Sequence, residues 1–170
     1  MARAEEHDDD LVIEHPNRDR ASSKSTRVAV ILVLLVSIGL MLVVTLGGWD
    51  KLQGSKALLV GYLLVYVLAV YLVLRWNRGM LPVIAALAII LGIFAAVSAP
   101  GWFDRDAAGF AAPAVAADVL GLVCIVLAVV QIVLLVIAML AFRQAWNVEV
   151  ERRVDDGPAP PPHRGAPVPA

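Results

Sequence analysis

Four stretches of 18 residues or more in this chain carry no charged side chain: residues 28–49, 57–74, 79–103 and 119–142, with lengths of 22, 18, 25 and 24. About 20 apolar residues in a helix are needed to cross a hydrocarbon core of about 30 Å. Lipid offers no partner to backbone N–H and C=O groups, so a crossing segment must bond them internally. Membrane β-strands alternate polar and apolar residues, and these runs do not. The pattern therefore predicts an all-α membrane protein, a four-transmembrane-helix antiparallel bundle with spans at about 28–49, 57–75, 80–100 and 115–142. The tails, 1–27 and 143–170, are expected to be disordered.

Composition agrees with this reading. Of 170 residues, 60% are hydrophobic and 17% charged, against about 45–50% and about 25% in a soluble domain. The first run is too long for the apolar part of a signal peptide, about 7–15 residues, and lacks an A-x-A-like cleavage site. It reads as an uncleaved anchor.

Orientation follows from Lys and Arg near the span ends. The N-tail, the second loop and the C-tail hold eleven of these residues, and the other two loops hold three: Lys51, Lys56 and Arg105. That imbalance predicts a multi-pass protein of the cell membrane with both termini cytoplasmic. Each tryptophan lies near the C-terminal end of a run: Trp49, Trp76, Trp102 and Trp146. This is where interfacial anchors belong. The short loops "DKLQGSK" and "RWNRG" make sequence neighbours spatial neighbours. Pro113 suits the first turn of a helix, so the fourth span is expected to begin above the lipid.

Depth within a span can be counted at about 1.5 Å per residue. Gln131 lies roughly 18 Å from Arg143, and Ser37 about 15 Å from Arg27. Tyr66 and Tyr62 lie about 14 and about 20 Å from Arg75. The four form a polar layer near the midplane, and Tyr62 and Tyr66 share a helix face. Polar groups at that depth need partners. Interhelical hydrogen bonds are the expected use, because none of the four is charged at neutral pH. Ala88, Gly92 and Ala96 are four apart, a small-residue row expected to be a helix-packing face within the bundle or against a second copy.

Asp118 opens the fourth run. It is 25 residues from Arg143, about 37 Å along a helix, which exceeds the core of about 30 Å. It is therefore expected outside the lipid, near a helix N-terminus whose dipole favours an anion.

The residues suggest no catalytic constellation and no metal or cofactor site. His7, His15 and His163 all lie in tails, and Cys124 is the one cysteine. No phosphate-cradling glycine motif appears, and a net charge of −1 gives no field to attract nucleic acid. The expected partners are the lipid bilayer and another membrane protein or a second copy. The expected role is a non-enzymatic scaffold or accessory subunit. The rival reading is a small oligomeric transporter or channel using the mid-membrane layer. An enzyme built on Asp104, Asp106 or Asp118 is the weakest, since no base or nucleophile adjoins them in sequence.

The tail–four spans–proline-rich tail layout, the outer loop "PGWFDRD" and the exit "RQAWNVEVERR" resemble small four-span membrane proteins of GC-rich bacteria, actinobacteria in particular. The resemblance covers most of the chain. It implies no substrate and carries over no functional residue. Small multidrug exporters share the span count but place an acid inside the first span, where 28–49 has none.

Overall fold

A computed structural model describes residues 11–14, 16–104, 113–146, 148 and 150–153. The stretch 105–112, the three histidines, Asp106 and the proline-rich end lie outside the described residues.

The chain is an integral membrane protein built on a four-helix bundle. Among the described residues, four helices are long and apolar enough to cross a membrane. They are α2 (Ala21–Gly47), α3 (Lys56–Leu74), α4 (Met80–Phe103) and α5 (Ala117–Arg143), after a strand β1 (Leu11–Glu14) and one turn of helix, α1 (Pro16–Asp19). The helix α2 starts seven residues before the charge-free run, because a helix extends beyond the lipid wherever its backbone stays bonded. At the fourth span the expectation for Pro113 is corrected: the chain is irregular from Pro113 to Ala116 and α5 begins at Ala117.

Each helix buries one narrow seam. In α5 it runs Leu120, Cys124, Leu127, Gln131, Leu134, Ala138, and in α2 Val30, Leu34, Ser37, Met41, Val44. Steps alternate between three and four, a mean near 3.5 once Ala117 and Ala141 at the ends of the α5 seam are counted, which is the knobs-into-holes repeat of left-handed bundles. The outward faces are equally apolar: Leu46, Leu64, Val97 and Ile132 are all more than 60% exposed. A soluble monomer does not tolerate so extensive a patch, whereas lipid does, being as apolar as leucine.

The helices are not packed symmetrically. The α4–α5 contact is the most extensive, followed by α2–α5 and α2–α3, while α3 and α4 touch only lightly. The bundle is thus an arc, α3–α2–α5–α4, whose ends meet loosely.

Part of the tails departs from the disorder expected of them. Strand β1 pairs antiparallel with β2 (Val150–Arg153), Leu11 facing Arg153 and Glu14 facing Val150. The segments "LVIE" and "VERR" contain β-branched residues that favour pairing. A two-stranded ribbon is marginal alone, and here the bundle end holds it. Asn17 Nδ2 donates to the Ala145 carbonyl at 3.0 Å and Arg18 Nε to that of Trp146 at 3.3 Å. Both tails therefore leave the bundle at one end.

Candidate functional site

The mid-span polar residues come together. Tyr66, Gln131 and Ser37 are each at most 1% exposed, on α3, α5 and α2. Tyr66 Oη donates to Gln131 Oε1 at 2.8 Å, and Gln131 Nε2 donates to Ser37 Oγ at 3.0 Å. Ser37 Oγ donates in turn to the Val33 carbonyl at 2.9 Å, one turn back in its own helix. The relay begins on an aromatic hydroxyl and ends on a backbone carbonyl, crossing three helices. Tyr62 is only half-buried and does not join the hydrogen bonds. It packs edge-on against Tyr66, with ring centroids 5.9 Å apart.

Gly92 belongs to this site. A Cβ there would lie 3.3 Å from Gln131 Cβ, so glycine lets α4 approach α5 where Gln131 stands. Along the row Ala88–Gly92–Ala96 burial falls: Ala88 is buried, Gly92 half-buried and Ala96 exposed, and all three line one groove between α4 and α5 beside Gln131. Four residues advance about 400° around a helix, so a four-spaced row drifts roughly 40° per step. The row leaves the seam on its way up, and the buried small residues continue instead at Ala95 and Ala99.

A second relay repeats the pattern at the end that bears the tails. Trp146 Nε1 donates to Gln144 Oε1 at 3.1 Å, Gln144 Nε2 donates to Thr26 Oγ1 at 2.8 Å, and Thr26 Oγ1 donates to the Ser22 carbonyl at 2.7 Å. In both relays a glutamine takes a hydrogen bond from an aromatic side chain and gives one to an α2 hydroxyl. Sequence reasoning missed this one. Its signal was "RQAW", a glutamine two residues before a tryptophan at a span exit.

The arginines of the same end cap helices. Arg27, on α2, donates from Nε to the Val73 carbonyl at 3.2 Å and from Nη2 to that of Leu74, and its guanidinium lies 4.3 Å over the Trp76 ring. Arg78 Nε donates to the Phe142 carbonyl at 3.0 Å and stacks over that ring at 4.3 Å. The last carbonyls of a helix lack internal partners and carry partial negative charge, so a cation suits them. Trp76 holds a left-handed backbone, φ 59°. Its N–H bonds Val73 O and that of Asn77 bonds Leu72 O, each at 3.0 Å. This is the glycine-type helix stop, built here on tryptophan. The Arg27 stack and the edge-on contact with Trp146, centroids 5.3 Å apart, hold the ring in place.

The four tryptophans accordingly divide. Trp49 is 44% exposed, with the Lys56 ammonium 4.8 Å over its ring, as an interfacial anchor requires. Trp102 and Trp146 are buried, at 3% and 0%. They pack between helix ends. Trp102 presses against Gly48, where any Cβ would collide with the indole.

Asp118 is exposed in the first turn of α5, with Oδ1 accepting the Val119 N–H at 2.8 Å. Asp104 is exposed at the end of α4.

No protein-family model, no curated protein and no solved structure matches the chain.

Proposed function

We propose that this protein is a non-enzymatic membrane scaffold or accessory subunit, held in the cell membrane with both termini in the cytoplasm. One observation carries the reading. The polar groups at mid-span are spent on one another: Tyr66, Gln131 and Ser37 pass hydrogen bonds across three helices and end on a backbone carbonyl. A solute path needs polar groups that can turn toward the solute. A relay of this kind fixes helix positions instead, which suits a rigid body presenting surfaces to a partner or a second copy. The cytoplasmic placement rests on the eleven-to-three imbalance of basic residues.

Crosslinking in native membranes, followed by purification in mild detergent, tests this role. The expected result is a discrete complex larger than one chain; a strictly solitary monomer overturns the reading. Liposome flux tests the rival role. Flux abolished by Gln131→Leu or Tyr66→Phe would favour a transporter or channel.

A further inference from the structure

The loose meeting of α3 and α4 leaves a cleft at the end away from the tails. Its lower part is an apolar cavity of about 190 Å³ reaching down to Leu91 and Leu127, with Leu58 and Phe94 at its rim. Its upper part widens into a mouth where Lys51, Ser55 and Ser98 join apolar neighbours. Leu52, Ser55, Ser98 and Trp102 border both parts, so the two adjoin. We infer that this cleft binds one phospholipid of the leaflet on that side, an acyl chain in the shaft and the phosphate at Lys51.

Shape, surroundings and charge converge on that occupant. Gly101 at the mouth and Leu91 at the floor are ten residues apart on α4, about 15 Å of helix. Half of a hydrocarbon core of about 30 Å is the same length, so the shaft has the depth of one leaflet. An apolar cavity of about 150 Å³ already excludes water and takes up benzene. Left empty, the walls lose their dispersion contacts. Leu58 and Phe94 are 40% and 48% exposed, so the shaft opens sideways to hydrocarbon and a chain enters without crossing water. The Lys51 ammonium makes no hydrogen bond, ion pair or ring contact among the described residues, while Lys56 is engaged with Trp49. Asp50 and Asp104 are nearby in sequence but neither lines the mouth.

The test is native mass spectrometry of the full chain, delipidated in mild detergent and titrated with dioleoyl phosphatidylglycerol. One lipid per chain should bind at low lipid excess. Lys51→Gln should weaken binding about fivefold, the effect of one basic residue on anionic lipid. Leu58→Trp at the rim should weaken it at least about tenfold, since a close-packed shaft admits no chain. Leu64→Trp, on the lipid-facing side of the same helix, should leave it unchanged. Both α3 changes are at exposed positions, so the fold tolerates them. Absence of a one-to-one complex overturns the inference, as does equal weakening by Leu58→Trp and Leu64→Trp. Binding indifferent to both Lys51→Gln and Leu58→Trp would do the same and mark the lipid as annular.

Discussion

Tyr66 and Gln131 stand 65 positions apart in sequence and share a 2.8 Å hydrogen bond in the middle of the bundle. The bond ties α3 to α5, and Gln131 passes the tie on to α2 through Ser37. Three helices that lipid alone would not order are thereby held in one register.

That coupling is measurable. Tyr66→Phe and Gln131→Leu each leave a partner unsatisfied, so each should destabilise the bundle. The double variant removes both ends of the bond and should cost less than the sum of the two. Interhelical bonds in membranes average about 0.6 kcal/mol with a maximum of about 1.7, and a coupling energy in that range is expected. Unfolding in mixed micelles gives all four corners of the cycle. Strict additivity would mean that the two side chains do not act together.

The bundle and the polar layer were legible in the sequence for different reasons. Charge-free length predicts spans directly, and counting residues from flanking arginines brought Ser37, Tyr66 and Gln131 to one depth. Which face of each helix turns inward was not legible. Leucine and valine line both the seam and the lipid side, so periodicity vanishes, and a four-spaced row such as Ala88–Gly92–Ala96 runs from a buried to an exposed position. The inward face is marked instead by its few polar members, Ser37 and Gln131, which fall on the 3.5-residue repeat. The arginine caps were invisible for another reason. A basic residue at a span end satisfies the topology rule wherever its guanidinium points, and only the fold shows Arg27 aimed at carbonyls of α3.

Gly48 supports the opposite end. A methyl group there meets the Trp102 indole, which must then shift from its packed position toward the cleft it borders. Gly48→Ala should cost about 1–3 kcal/mol, the usual range for overpacking, and lower the thermal midpoint in detergent. Trp102→Phe added to it should restore part of the loss by removing the colliding ring. If the alanine variant melts with the wild type, the indole does not pack there.

Asp118 should prove dispensable to the fold. It is exposed and its hydrogen bond is to the next residue, so Asp118→Asn keeps an acceptor and loses only a charge near a helix N-terminus. Membrane insertion should be intact, with stability changed by no more than about 0.5 kcal/mol. Protease protection and a melt in detergent check the two halves; a large loss would place the carboxylate inside the protein.

Arg27→Lys separates the two roles of the basic residues. It keeps the positive charge that sets orientation, so topology reporters should read as in the wild type. It removes the planar fork that reaches the Val73 and Leu74 carbonyls together and the guanidinium face that stacks on Trp76. Lysine replaces neither. Hydrogen bonds that involve a charged group contribute about 1.5–3 kcal/mol, and an ammonium can recover part of one. A net loss of about 1–2 kcal/mol is therefore expected, with the damage concentrated at the end of α3. Hydrogen exchange should show it as faster exchange at the amides of Arg75, Trp76 and Asn77, which close the helix stop on Tyr71, Leu72 and Val73. Wild-type exchange there would mean that the stop stands without its cation.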